Sequence, residues 1–233
     1  MANAATRRFD RFSKDYAKLN GLQTAIAREL IDATRIRPKR VADLGCGDGA
    51  IYRQMPRSTE CFVAIDASLS MLALHPSGLE VHKTLIDFND AKALSSSLAA
   101  LSPFDLIVSS CALQWAADLD ATLKAVAPFG SRIAFAIFTD GALSLLRNLS
   151  GAKTPALSID KAREIVARYF KARFWTKRYR VEFASKREMF AYIRKSGVGG
   201  GLARLGVADA KRMIAEYPSA SLDYETLFAI GDY

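Results

Sequence analysis

The stretch Val41-Ala42-Asp43-Leu44-Gly45-Cys46-Gly47-Asp48-Gly49 constrains this chain more than any other. A short apolar run ends at an acidic residue and then breaks into a glycine-rich turn. Gly45 and Gly47 allow a tight backbone turn and a close approach to a ligand where a Cβ would clash. The segment therefore reads as a strand and turn leading into a helix near 50–55, whose first amides would face the turn. A second apolar run, Cys61 to Ile65, closes on Asp66. Asp66 stands about twenty positions after the first glycine, where a nucleotide-binding βαβ unit places its ribose carboxylate. The order Gly-x-Gly-x-Gly, preceded by Asp43, departs from the Gly-x-Gly-x-x-Gly of dinucleotide sites.

The rest of the first 140 residues repeats this rhythm. Strands are expected near 41–45, 61–65, 80–86, 104–109 and 131–138, and helices near 50–55, 68–74, 91–101 and 118–127. Such alternation implies a parallel sheet with helices on both faces and ligands at the carboxyl ends of the strands. Asp43, Asp66, Asp87 and Ser109 all fall at those ends. Before this core, residues 1–38 read as helical, with Leu22, Ile26, Leu30 and Ile31 on one face, a break at Asn20-Gly21 and a stop at Pro38. After Thr139-Asp140-Gly141 the pattern changes to helices near 142–149 and 158–170, an alternating strand at 173–183, helices near 185–195 and 207–217, and a closing strand at 222–230. The expectation is one domain over 1–233, comprising an N-terminal helical lid (1–38), a binding core (39–140) and late cap helices with a closing hairpin (141–233).

Half of the 233 residues are apolar, enough for a full core. No apolar stretch approaches the roughly 20 residues of a membrane span, and the charged start (Arg7, Arg8, Asp10, Arg11) lacks the apolar core of a signal peptide. A cytoplasmic location and no membrane partner are expected. Cys46, Cys61 and Cys111 show no paired spacing, so reduced thiols are expected and neither a disulfide framework nor a zinc site. His75 and His82 are the only histidines, which argues against metal catalysis and against a histidine triad.

Charge is unevenly placed. Lys161 to Lys195 hold twelve Lys and Arg against three Glu, within a net charge of +9 for the whole chain. A patch of that kind attracts acidic partners and speeds their encounter. The aromatic residues within it, Tyr169, Phe170, Phe174, Trp175 and Tyr179, fit the buried side of an element as well as a base-stacking surface, so nucleic acid is not the expected partner.

Asp43-Leu44-Gly45-Cys46-Gly47 with Gly49 resembles the first motif of class I methyltransferases that use S-adenosylmethionine, a ligand without a pyrophosphate. That resemblance implies a Rossmann-like, mostly parallel seven-stranded sheet that ends in an antiparallel hairpin, supplied here by 173–183 and 222–230. It also implies that Asp43 meets the cofactor's amino end, with Gly45 and Gly47 in the turn beside it. Asp66 and Ala67 would lie at the ribose, Asp87 and Phe88 at the adenine, and Ser109 at the strand end where the methyl is presented. More selectively, Phe12-Ser13-Lys14-Asp15-Tyr16 with Gln23, the run Ala112-Leu113-Gln114-Trp115, Ile193 to Val198 and Leu222 to Phe228 together are similar to the biotin-synthesis methyltransferases that esterify malonyl-acyl carrier protein. The chain differs from that family's common pattern at Ser110, often Asn, and at Asp48, often Thr or Pro.

That resemblance implies Tyr16 as the catalytic residue closing over methyl and acid, Gln114, Trp115 and Arg194 (with Lys195) at the substrate, and an acidic acyl carrier protein against residues 161–195. The chemistry is coherent. A malonyl carboxyl, with a reference pKa of roughly 4 or below, is ionised at neutral pH and needs no general base, so catalysis reduces to placement. Three alternatives stay open at this point. One is a small-acid methyltransferase of the trans-aconitate type. Another is an RNA methyltransferase, which the positive charge favours but which lacks an Asn/Asp-Pro-Pro-Tyr motif or a Pro-Cys nucleophile. The third is a cofactor-binding protein without turnover.

Overall fold

The computed structural model describes residues 4–78, 80–151, 155–196 and 207–232. Its centre is one seven-stranded sheet in the order β3-β2-β1-β4-β5-β7-β6. Strands β1 (Arg40–Leu44), β2 (Cys61–Asp66), β3 (Val81–Leu85), β4 (Leu106–Ser110) and β5 (Arg132–Phe138) run parallel. β7 (Ser221–Asp232) enters antiparallel beside β5, and β6 (Lys171–Glu182) pairs antiparallel with β7 at the edge. This is the Rossmann-like arrangement of class I methyltransferases. The chain leaves β1 on one side to form β2 and β3 and returns on the other as β4, which opens a crevice at their carboxyl ends.

Burial explains the strand sequences. β1, β2, β4 and β5 are covered on both faces and read as near-continuous apolar runs, with Val41, Ala42, Phe62, Val63, Ile107 and Phe135 fully buried. Helix α2 (Gly21–Thr34) lays Ile26, Ala27, Leu30 and Ile31 over one face; α4 (Ala91–Leu101) covers the other with Leu94 and Leu98, joined by α5 (Leu119–Val126) with Leu119, Leu123 and Val126. Side chains fix where helices begin. Ser68 caps α3 (Leu69–Leu74) by accepting from Met71 N. Asp90, Asp118 and Ser158 do the same for α4, α5 and α7 (Ile159–Ala167). The shorter α6 (Ser144–Ser150) precedes α7.

Two expectations are corrected. No α-helix follows the glycine turn at 50–55, where only a single 3-10 turn, Tyr52–Gln54, forms. Gly49 sits at φ +91 and Pro56 closes the segment seven residues later, which forces Met55 into an extended conformation and leaves no room for a second helical turn. α2 also stops earlier than Pro38 requires, at Thr34, because Arg35 adopts a left-handed conformation. The expected break at Asn20-Gly21 does separate α1 (Ala4–Leu19) from α2.

The middle of the basic segment becomes an edge strand. β6 alternates exposed and half-buried residues, and its cations pair with acids distant in sequence. Arg178 meets Glu225 and Arg180 meets Asp223, each directly across the β6–β7 ladder. Lys177 reaches Glu29 on α2, and Arg168 at the end of α7 joins Asp120 and Glu164. Charged residues on an edge strand deter pairing with another chain. Between β6 and β7, α8 (Lys186–Ser196) packs against α1, α9 (Val207–Glu216) and β7. No helix among the described residues is long and apolar enough to cross a membrane.

The junction between α1 and α2 is fastened to the glycine turn. Asn20 Nδ2 donates to both carboxylate oxygens of Asp48, at 3.1 and 3.0 Å, and Arg53 supports the same carboxylate at 3.3 Å. Both Asn20 and Asp48 are buried. Asn20→Ala should therefore lower unfolding free energy by about 1–3 kcal/mol, the cost of a buried charged acceptor losing its donor, as read from urea denaturation. A loss below a few tenths of a kcal/mol would show that the junction is not held there.

Candidate active site

The carboxyl ends of β1, β2 and β4 open onto a cleft, the place where ligands bind in sheets of this topology. Its floor is the glycine turn. Gly45 has φ +72, and a Cβ there would stand 2.3 Å from the Cβ of Ala112. The ends of β1 and β4 thus approach as closely as a residue without a side chain allows. Gly45 N and Cys46 N both donate to Ile65 O at 2.8 and 2.9 Å, which ties the turn to the end of β2. Gly47, also left-handed, donates its N–H to Asp66 Oδ2 at 2.9 Å. With no helix behind it, the turn offers no stacked amides and no helix dipole, the features a pyrophosphate uses. A nucleoside lacking phosphate fits this floor better.

Asp43 supplies the site's strongest electrostatic feature. It is 1% exposed, lines the cleft, and neither carboxylate oxygen has a hydrogen-bond partner. Burial, and secondarily the charge of Asp66, pushes its pKa well above the carboxylate range. A buried carboxylate left unpaired is costly and favours either a proton or a cationic ligand group. Asp66 differs. Burial raises its pKa too, but the N–H groups of Ser68, at 2.8 Å, and of Gly47 oppose that rise. One carboxylate is held and oriented; the other awaits a partner.

Asp87 and Phe88 lie on the opposite wall. Asn89 donates its backbone N–H and its Nδ2 to Asp87 Oδ1, at 3.0 and 2.7 Å, while its own Oδ1 accepts from Ala117 N at 2.7 Å. The loop after β3 is thereby clipped to the loop after β4. Phe88 is buried against Gly45 and gives an apolar face beside the turn. Ala67 and Trp115 also line the cleft.

Other expected residues stand elsewhere. Ser109 is completely buried and donates its hydroxyl to Leu44 O at 2.7 Å, tying β4 to β1. Its neighbour Ser110 faces the cleft instead. Gln114 is not among the described lining; its Nε2 donates to Cys111 O at 2.6 Å and steadies Cys111, which has the strained left-handed φ of 55. Arg194 and Lys195 are exposed on α8 and do not line the cleft. Tyr16 lies on α1, and its side chain falls outside the described residues. Residues 197 and 198 of the family-like segment also fall outside them.

Sequence reasoning missed several contributors. Thr6 of α1 and Gln23 of α2 line the cleft, so the N-terminal helices close one side of it. α1 is anchored next to Asp66, where Ser68 Oγ donates to Asp10 Oδ1 at 2.5 Å. The chain signals this poorly, because Asp10 and Ser68 are far apart, and in sequence Asp10 is one charge among several within a helix while Ser68 is an ordinary helix cap. Asp48, a departure from the family pattern, is accommodated by Asn20 and Arg53. Neither histidine reaches the cleft. His75 is buried against Tyr52 and Phe62, and burial lowers its pKa; His82 lies on edge strand β3. Among the described residues no cluster of His, Cys, Asp and Glu could hold a metal ion.

Residues 41–129 match the family profile described as a methyltransferase domain. The chain is 29% identical over 208 residues to the malonyl-[acyl-carrier protein] O-methyltransferase of Chlorobium phaeovibrioides, covering 83% of this chain and 78% of that protein. It is equally 29% identical over 208 residues to the trans-aconitate 2-methyltransferase of Streptomyces avermitilis, covering 78% and 76%. In structure it resembles the magnesium protoporphyrin IX methyltransferase of Synechocystis with bound SAH, with a TM-score of 0.60 at 11% identity, over 98% of this chain and 97% of that one.

Asp43 yields a pH prediction. Its folded pKa is raised above the unfolded value, so the unliganded fold binds this proton more tightly than the unfolded chain. Stability should fall as pH rises from about 4, and Asp43→Asn should remove that fall and stabilise the unliganded protein at pH 7. The same substitution should weaken binding of S-adenosylhomocysteine, which carries the same amino end, roughly ten- to hundredfold, the range for a lost charge-assisted hydrogen bond. Calorimetry alongside denaturation at several pH values checks both halves. A variant that binds as tightly as the parent would remove Asp43 from the cofactor site.

Proposed function

We propose that this chain, a class I S-adenosylmethionine-dependent methyltransferase, methylates the free carboxylate of a malonyl group carried as a thioester on acyl carrier protein, an early cytoplasmic step of biotin synthesis. The observation that carries the acid acceptor is that relatives matched over most of the chain are named for malonyl-[acyl-carrier protein] and for trans-aconitate, both carboxylic acids; the described lining of the cleft, which contains no histidine or lysine, suits an acceptor that needs no such base. An amine or hydroxyl acceptor must lose a proton during transfer, whereas a carboxylate is already ionised.

When bound, S-adenosylmethionine supplies an electrophilic methyl on a sulfonium. The protein's own residues divide the remaining work. Asp43, unpaired and buried, would hold the amino end. Asp66, oriented by the Gly47 and Ser68 amides, would accept from the ribose hydroxyls, with Ala67 beside it. Asp87 would accept from the adenine amino group and Phe88 would pack its ring. Gly45 lets the cofactor settle against the backbone of β1 and β4. Ser110, Cys111 and Trp115 would border the space where the acid arrives, while Tyr16 and α1 exclude water above it. Holding oxygen and methyl in line can supply up to about 7–11 kcal/mol of the barrier reduction.

The small-acid alternative has support of its own, since the relative named for trans-aconitate is as similar as the one named for malonyl-acyl carrier protein. Incubation with labelled S-adenosylmethionine and, separately, malonyl-acyl carrier protein, malonyl-coenzyme A, trans-aconitate and bulk tRNA tests the assignment. Label should enter the malonyl thioesters, with a product one methylene heavier by mass. Transfer to trans-aconitate or tRNA alone would replace the proposal.

A carrier-docking role for the basic face is tested where its charges are not already paired. Arg187, Arg194 and Lys195 of α8 are exposed, with no ion pair to a described residue. Reversing all three to Glu should raise KM for malonyl-acyl carrier protein about tenfold at low salt and leave KM for malonyl-coenzyme A within about twofold, since rim charges act on encounter. Equal effects on the two substrates would count against docking through α8.

A further inference from the structure

Behind Cys111, four uncharged polar side chains from three elements converge. Gln23 comes from α2, Tyr192 and Ser196 from α8, and Tyr224 from β7. Gln23 and Cys111 line the cleft itself. The Tyr192 hydroxyl is flanked by Tyr224, Gln23 and Ser196, and both tyrosines lie within electrostatic reach of Cys111. All four side chains are more than nine-tenths buried. Even so, Gln23 Oε1, Ser196 Oγ and Tyr224 Oη make no well-formed hydrogen bond, and the single Tyr192 hydroxyl that interacts with all three residues cannot satisfy them all. Buried polar atoms are nearly always paired, and three unsatisfied ones beside a cleft point to a polar guest between them.

The chemistry of the group selects the guest. Three hydroxyls and an amide offer four donors with no cation among them. Burial, the largest influence on both tyrosines, raises their pKa values, so they remain protonated and can donate but not act as bases. A carboxylate accepts several hydrogen bonds and donates none, which matches the Ser196 and Tyr224 hydroxyls; Gln23 can join them only through its amide Nε2, with Oε1 turned away from the guest. Neutral donors also suit a carboxylate that must attack: they orient one oxygen while leaving the other its nucleophilic charge, which a guanidinium pairing bidentately with both would withdraw. Resting on the acid acceptor argued above, we infer that Gln23, Tyr192, Ser196 and Tyr224 form the subsite that receives the acceptor's carboxylate. Orientation there falls to hydroxyls and an amide, and not to the exposed Arg194.

The experiment separates this subsite from the identity of the acid. Protein saturated with S-adenosylhomocysteine is titrated with malonyl-coenzyme A, free malonate and trans-aconitate, and with acetyl-coenzyme A as a thioester lacking the free acid. The parent should bind at least one acid more tightly than acetyl-coenzyme A. Tyr192→Phe and Tyr224→Phe should each reduce that preference about tenfold or more, the range for hydrogen bonds to a charged group. Affinity for S-adenosylhomocysteine should stay within about twofold. Where turnover is measurable, KM for the acid should rise, and binding of acetyl-coenzyme A, which lacks the acyl carboxylate, should not move. If either Phe variant fails to fold, Gln23→Leu on the cleft wall carries the same comparison. A parent that prefers none of the acids overturns the subsite, as do folded variants that keep the preference. Preferential binding of an acid that is never methylated would leave the subsite standing and defeat the proposed reaction instead.

Discussion

The approach of β1 and β4 at Gly45 is the contact on which the rest of the site depends. Ala112, two residues beyond β4, occupies the space that a side chain at position 45 would need. That contact draws together two loops that carry different chemistry, the acidic turn after β1 and the Ser110 to Trp115 segment after β4. The Ser109 hydroxyl on the Leu44 carbonyl and the Gly45 and Cys46 amides on the Ile65 carbonyl fix the same corner from both sides. Within it Asp43 lacks any protein partner, and a cationic ligand group completes what folding leaves unfinished. Destabilisation of the unliganded state and affinity for the cofactor are then two aspects of one buried charge.

Much of this was legible because local chemistry and global fold agree. Apolar runs ending in Asp43, Asp66 and Asp87 marked strand ends, and the Ser68, Asp90 and Asp118 caps that the structure shows at the following helices are local interactions of the same short range. Failures came where distance or parity decides. Ser109 and Ser110 are neighbours, and in a strand neighbours face opposite sides, so being wrong by one residue exchanges a structural tie for a lining group. Residues 50–55 carry helical composition, but the left-handed Gly49 and Pro56 leave too short an interval for a helix to repay its nucleation.

The basic segment was legible in charge and misleading in meaning. Counted along the chain, 161–195 is a strong positive run; folded, Glu29, Asp120, Asp223 and Glu225 come from three other elements to meet it. Sequence neighbours cannot show that neutralisation, because it arises from the ladder register of β6 on β7 and from the packing of α2 and α5. What stays unpaired to described acids is concentrated on α8, the helix that also packs against α1 and supplies Tyr192 and Ser196. The same element can therefore present cations to a partner on its outer face and neutral donors inward.

That division of charge is the one that the proposed carboxylate nucleophile would require. Attraction at long range accelerates arrival and costs nothing in reactivity, since it is screened and distant at the moment of transfer. A cation in contact with the attacking oxygen would instead stabilise the ground state, in which the negative charge is whole, more than the transition state, in which it is partly spent. Cations outside and hydroxyls inside satisfy both demands, and Asp43 belongs to the same scheme from the other side of the cleft. In the proposed site it would compensate the cofactor's amino charge locally, so that the acid would meet the methyl without a competing ammonium group nearby.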